Sequence, residues 1–294
     1  MRTIALVVVM GLGVSLVASG CSSNGDGAAT SGGTSGGQCA VKAPSDLVSE
    51  GSLTFGTSLT LAPQAFQSGT EATGSDIEIA RAIAAQMCLD PKFTSFDFQG
   101  ILPALNAKKV DAGIATFGIT PARKEVFDFV PYFIGGQAML TKKGSGLKVN
   151  GIEEVCGHKF AVLSGSVQLA NLTTAAPKCP AGKSLNFSVY PSMPEIIQQL
   201  IKGTQELAYI DWTAAANAVK QLPDQLELAS EIFSGRGEST PPNIEGIAVR
   251  KGDTDTQNAI AAAFAKVQES GTYDKILKEY GLERGDVRKA KSQG

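Results

Sequence analysis

The stretch Val110-Asp111-Ala112-Gly113-Ile114-Ala115-Thr116-Phe117-Gly118-Ile119-Thr120-Pro121-Ala122-Arg123 runs from an apolar strand through a glycine-containing turn into a helix start. Val110 to Thr116 has the small and β-branched residues of a buried strand. Thr120 stands where a helix cap accepts a backbone N–H, and Pro121 at the first helical position, where a missing N–H is harmless. Arg123 therefore falls in the first turn, where the helix dipole disfavours a cation. A cation kept there points to an anion nearby, either a ligand or the local carboxylates Glu125 and Asp128.

Outward from this stretch, short β-rich runs alternate with helical ones. Strands are expected at Leu53 to Thr57, Phe93 to Phe98, Val110 to Thr116, Ala138 to Thr141, Lys159 to Leu163, Leu185 to Tyr190, Leu207 to Asp211 and Ile247 to Arg250. Ser75 and Glu78 have capping-box spacing ahead of Ile77, Ala80, Ile83, Ala84 and Met87, and Ser192 and Glu195 repeat it before Ile196 to Ile201. Gln257 to Glu269 and Tyr273 to Tyr280 read as two further helices, closed by Gly271 and Gly281. Such alternation predicts an α/β chain with parallel sheets and crossover helices.

Two more strand ends carry polar chemistry. Leu163-Ser164-Gly165-Ser166-Val167 leads a strand into a helix, whose free N–H groups can receive a carboxylate. Asp211 ends the apolar run Leu207 to Ile210, where it can face a ligand or cap the helix that follows. An arginine and a helix start suit a carboxylate and an aspartate suits an ammonium, so together the three fit an α-amino-acid zwitterion.

At this point several motifs fall in one order: Gly74-Ser75-Asp76-Ile77-Glu78-Ile79 with Ile83-Ala84, Phe98-Gln99-Gly100-Ile101-Leu102-Pro103-Ala104-Leu105, Val110-Asp111-Ala112, Thr120-Pro121-Ala122-Arg123, Phe127-Asp128-Phe129 and Pro131-Tyr132. The chain from about residue 51 to residue 281 thereby resembles the periplasmic amino-acid-binding family of ABC transporters, solute-binding family 3, which includes glutamine-, histidine- and lysine/arginine/ornithine-binding proteins. Ser75 departs from it, standing where a larger apolar residue is usual. The resemblance implies a two-lobed α/β periplasmic-binding-protein fold of type II, each lobe a mostly parallel sheet flanked by helices. Lobe one is expected from residues 39–132 and 247–290, lobe two from 138–242, and hinge strands at 133–137 and 243–247.

By position, the resemblance gives Arg123 the ligand carboxylate, helped by backbone N–H groups near Gly118, Ser166 and Val167. It gives Asp211 and the Thr116 carbonyl the ammonium, Phe98 a stacking role on the ligand side chain, and Leu61 the opposing wall. Ser58, Leu163 and Ile210 stand where some members carry charge or a polar reader, so a neutral side chain is expected. Arg236, Glu238 and Glu245 lie near the second hinge, within reach of the cleft. The implied partners are an amino-acid ligand and ABC permease subunits, with the protein a monomer, free of cofactor and without enzymatic activity. The alternatives are a prephenate- or arogenate-dehydratase-like enzyme, with Glu238 its one candidate acid, and a free-standing scavenger or sensor.

The N-terminus reads as an export signal over residues 1–20: Arg2, the apolar run Ile4 to Leu16, then Ala18-Ser19-Gly20 before Cys21. The apolar run is shorter than the roughly 20 residues of a membrane-spanning helix. Cys21 after small residues resembles a lipobox, although Ala18 replaces the usual larger aliphatic residue. A lipid-anchored location on the outer face of the cytoplasmic membrane follows, with 21–38 a Gly/Ser tether spanning about 20 to 25 Å. Setting Cys21 aside leaves Cys39, Cys88, Cys156 and Cys179 of the five cysteines. Of the three pairings they allow, Cys39 with Cys88 and Cys156 with Cys179 places one bridge in each lobe and leaves the lobes free to move. With 26 basic against 28 acidic residues the chain offers no field for nucleic acid, and a single histidine, His158, argues against a zinc site or a histidine-based triad.

Overall fold

The computed structural model describes residues 39–149, 151–175, 179–233 and 243–292. The export segment, Cys21, the tether, Arg236 and Glu238 lie outside the described residues. Strand β1 (Ser52–Thr57) is followed by a small antiparallel sheet of β2 (Thr60–Leu61), β3 (Ala65–Ser68) and β4 (Glu71–Thr73). Then come α1 (Ser75–Gln86), β5 (Asp90–Ser95), α2 (Phe98–Asn106), β6 (Ala112–Gly113), α3 (Pro121–Val126) and β7 (Phe127–Ile134). The chain crosses at Gly135-Gly136 into β8 (Gln137–Lys142), β9 (Lys159–Leu163), α4 (Val167–Ala175), β10 (Asn186–Tyr190) and α5 (Met193–Lys202). It continues through β11 (Leu207–Asp211), α6 (Trp212–Gln221) and β12 (Leu226–Leu228), and returns as β13 (Ile244–Arg250), α7 (Thr254–Glu269) and α8 (Thr272–Tyr280).

Two five-stranded sheets result, ordered β5-β1-β6-β13-β7 and β10-β9-β11-β8-β12. In each, four strands run one way and one runs against them, β13 in the first and β8 in the second. Those reversed strands are the ones that follow the two crossings between sheets. The crossings lie side by side: Gly135 N–H donates to the Asn243 carbonyl at 2.7 Å, and Gln137 and Phe233 exchange two backbone hydrogen bonds of 2.7 and 2.9 Å.

Continuous apolar runs mark strands covered on both faces. In β11, Ala208 and Ile210 join the core shared with α5 and α6, while Leu207 and Tyr209 join a second cluster with Phe160 and Val162. In the first sheet, α7 and α8 pack on α1, burying Ile79, Ile83, Ile260, Phe264 and Leu277. Cys39 is bonded to Cys88, tying the start of the folded body to the end of α1, and Cys156 to Cys179. Closing a loop 49 residues long stabilises by about 4 kcal/mol in the chain-entropy account.

Several local expectations are corrected. Ser75 is the first residue of α1 and Gly74 its cap, at φ 118°; the first-turn N–H groups of Ser75 and Asp76 go to the carbonyls of Pro63 and Gln64. Glu78 is thereby free to pair with Arg81 at 2.7 Å, and no capping box forms. Ser192 does occupy the cap position of α5, but its hydroxyl donates to the Glu195 carboxylate and accepts no backbone N–H. The strand expected over Val110 to Thr116 is regular only at Ala112–Gly113, because Thr116 turns to φ 53° and leaves the ladder. Phe98 opens helix α2 and does not end a strand, Asp97 being the cap position. Strands β2, β3, β4, β7 and β12 carried no signal strong enough to be expected.

Candidate ligand-binding cleft

Arg123 sits in the first turn of α3, where Thr120 Oγ accepts its backbone N–H at 3.2 Å. Its guanidinium turns away from Asp128, whose carboxylate takes Lys251 and the Gly252 N–H instead. Nη1 donates to the Gly118 carbonyl at 2.9 Å, Nη2 to the Gly165 carbonyl at 3.0 Å, and the group lies 5.6 Å from the Phe117 ring centroid. Gly118 belongs to the first lobe and Gly165 to the second, so one side chain touches both. Burial lowers the pKa of Arg123, opposed by the charges of Asp211 and Glu245.

Asp211 occupies the cap position of α6, yet its side chain accepts no backbone N–H there. Oδ1 accepts from Gln168 Nε2 at 2.7 Å and Oδ2 from Thr116 Oγ1 at 3.4 Å across the cleft. Burial pushes its pKa up to about 6, partly offset by those hydrogen bonds and by Arg123. A carboxylate desolvated in this way, with no direct counter-ion among the described residues, is set up to receive a cation. Trp212, the next residue, is buried and stacks on Phe133 of β7 at 6.4 Å.

Thr116 is held by a buried relay in which its N–H donates to Tyr132 OH at 3.3 Å and Tyr132 OH to Asp76 at 2.9 Å. Burial raises Asp76 to about 7 despite these partners. Gly118 N–H and Val167 N–H take no backbone or side-chain partner among the described residues, and a Cβ on Gly118 would lie 3.2 Å from Val167 Cγ1. Ser166 is corrected: its N–H donates to the Leu163 carbonyl at 3.3 Å and its hydroxyl caps α4 at Leu169, so neither is spare. Phe98 packs against Phe117 with ring centroids 5.2 Å apart, and Leu61 is buried in the same core. Ser58 is buried, with its hydroxyl 3.2 Å from Thr60 Oγ1.

Further contacts join the lobes: Thr213 Oγ1 donates to Gln64 at 2.6 Å and Ser164 Oγ to Gln99 at 2.6 Å. Gln64, Gln168 and Thr213 carry no local sequence signal, because only the folded chain brings them to the cleft. Glu245 is the other residue the sequence left unplaced. It is 1% exposed, on β13, the strand that follows the second crossing between the sheets. No group of residues able to hold a metal ion occurs among the described residues, and no helix among them is long and apolar enough to cross a membrane.

Residues 53–283 match the bacterial extracellular solute-binding proteins, family 3. The chain is 28% identical over 232 residues to the L-cystine-binding protein of Escherichia coli K12, covering 78% of this chain and 82% of that one. It is 30% identical over 218 residues to the ABC transporter glutamine-binding protein of Bacillus subtilis 168, covering 72% and 74%. Among solved structures, an ancestral arginine-binding protein bound to glutamine superposes with a TM-score of 0.71 at 34% identity, covering 80% of this chain and 100% of that one. Fold, cleft and sequence agree, and the chain belongs to the bacterial extracellular solute-binding proteins of family 3, which are binding proteins and not enzymes.

Proposed function

We propose that the chain captures an α-amino acid between its lobes and delivers it to an ABC permease, as a monomer held at the outer face of the cytoplasmic membrane by a lipid on Cys21. One observation carries the reading: opposite charges reach the cleft from opposite lobes, Arg123 touching Gly165 across it and Asp211 touching Thr116. A zwitterion placed there satisfies both, its carboxylate on Arg123 and the N–H groups of Gly118 and Val167, its ammonium on Asp211 and the Thr116 carbonyl. A ligand that engages both lobes favours closure by the difference between its affinity for the closed and open forms. Relatives described as cystine- and glutamine-binding support the ligand class. The walls expected from Ser58, Leu61, Phe98 and Leu163 carry no charge, which leaves side-chain selectivity to whatever reaches the cleft from the hinge.

The pKa of Asp211 supplies a test. Only the ionised carboxylate attracts an ammonium, and in the free protein burial lifts that pKa to about 6. Binding therefore expels a proton once the pH falls below that value, and affinity drops by up to about tenfold per pH unit between roughly pH 6 and 4.5. Calorimetric titration in two buffers of different ionisation heat is expected to show proton release at pH 5.5 that fades by pH 7.5. Affinity that is flat or rises on acidification contradicts the assignment of the ammonium to Asp211.

A further inference from the structure

A charge account of the cleft leaves one group over. The carboxylates and the guanidinium that act on one another here are Asp76 and Glu245, both buried, and Asp211 and Arg123, both half-buried. Asp76 is engaged by Tyr132 and the Thr116 N–H, and the zwitterion of the proposed function occupies Arg123 and Asp211. Glu245 Oε2 is fully buried and has no hydrogen-bond partner among the described residues, and the neighbouring Asn243 Nδ2 is in the same condition.

Geometry aims Glu245 into the cleft. Gly118 and Glu245 form an isolated antiparallel bridge, made by Ile119 N–H to the Ile244 carbonyl at 2.8 Å and Gly246 N–H to the Phe117 carbonyl at 2.9 Å. That is the non-hydrogen-bonded pairing, in which opposed side chains stand on the same face and closest together. The face is identified by Gly118, where a Cβ would point at Val167 Cγ1 of the second lobe, 3.2 Å away, and at Asn243 Oδ1, 2.8 Å away. Gly135 of the first hinge flanks the carboxylate on the other side, where any Cβ would collide with Oε1. Gly135 clears room for the full-length glutamate, and Gly118 keeps open the gap to Val167 and Asn243 on the face that Glu245 shares.

Resting on the amino-acid reading above, we propose that Glu245 receives a cationic nitrogen of the ligand side chain and makes the site selective for a positively charged amino acid over its neutral isostere. The uncharged walls named earlier are then the housing for an aliphatic stem, and the charge is read at the hinge. Burial, with Asp211 and Asp76 nearby, raises the pKa of Glu245 well above that of an ordinary glutamate, so without a cation beside it the carboxyl favours its neutral form. An arriving cation draws it back to the charged form and pairs with it, whereas a neutral ligand gains no such pairing.

Arginine and citrulline share shape and differ in that charge, which makes them the probe, with lysine and glutamine as a second pair. Wild-type protein is expected to bind the cationic member of at least one pair about tenfold or more tighter by calorimetry, and Glu245→Gln to abolish that preference while keeping the neutral partner within about threefold. Glu245→Asp, which keeps the charge, should retain part of the preference, and melting temperatures report whether either variant is folded. A wild-type preference for the neutral member, or a ratio that Glu245→Gln leaves unchanged, overturns the inference. Binding confined to other amino acids overturns it while the zwitterion reading stands; no binding to any amino acid removes both.

Discussion

Arg123→Ala is expected to weaken amino-acid binding by about 2–5 kcal/mol, on the order of 30- to 5,000-fold, and Asp211→Asn by a similar amount, with both proteins folded. The cost is high because each variant leaves one end of a desolvated zwitterion without its counter-charge. The two should differ in stability. Ionised Asp211 is half-buried with no direct cationic partner among the described residues, and a carboxylate whose pKa rises on folding opposes folding increasingly above its ordinary value of 3.8 and in full above its folded value of about 6. Asp211→Asn relieves that opposition at pH 7, so its ligand-free melting temperature should match or exceed that of wild type. Arg123→Ala gives up the bonds to Gly118 and Gly165 and should melt no higher than wild type. Calorimetry and thermal melts read both effects. Wild-type affinity in either variant removes that residue from the site.

The second large effect concerns closure. Gly165 has φ 73°, and a Cβ there would lie 2.9 Å from Gln99 Cβ and 3.1 Å from Gln99 Cα. Gln99 is on the first lobe and Gly165 on the second, so the conflict exists only when the lobes meet. Gly165→Val should therefore prop the cleft, lowering affinity by about 1–3 kcal/mol, roughly 5- to 150-fold, through the closed state. The left-handed backbone adds about 1 kcal/mol of cost to folding in either state. Small-angle scattering with saturating ligand should show Gly165→Val more extended than wild type. Equal affinity and equal scattering would show that this contact does not belong to the closed form.

Much of this was legible in the sequence because it rests on local rules. Thr120-Pro121 fixed the start of α3 and with it the position of Arg123, and the apolar run ending in Asp211 put a carboxylate at a strand end. Thr116 and Gly118, in the same stretch, were given their roles by the family resemblance and not by a local rule. What escaped depends on tertiary contacts. The cap of α1 was misread because the carbonyls of Pro63 and Gln64, in the turn between β2 and β3, accept the first N–H groups of the helix. Ser166 was expected to offer a free N–H, but the turn closes on the Leu163 carbonyl. Strands β2, β3 and β12, two to four residues each, are too short for a periodic signal. Glu245 was visible as a residue near a hinge; its direction became readable only from its pairing with Gly118, a residue 127 positions earlier in the chain.

The measurement closest to the central claim is a calorimetric titration of the purified protein with each common amino acid at pH 7.5. The account predicts saturable one-to-one binding of at least one of them, about 6–9 kcal/mol in strength, accompanied by a change in the fluorescence of Trp212 beside Asp211. A blank across the whole set at millimolar ligand contradicts it, and would mean that the opposed charges of Arg123 and Asp211 serve something other than an amino-acid zwitterion.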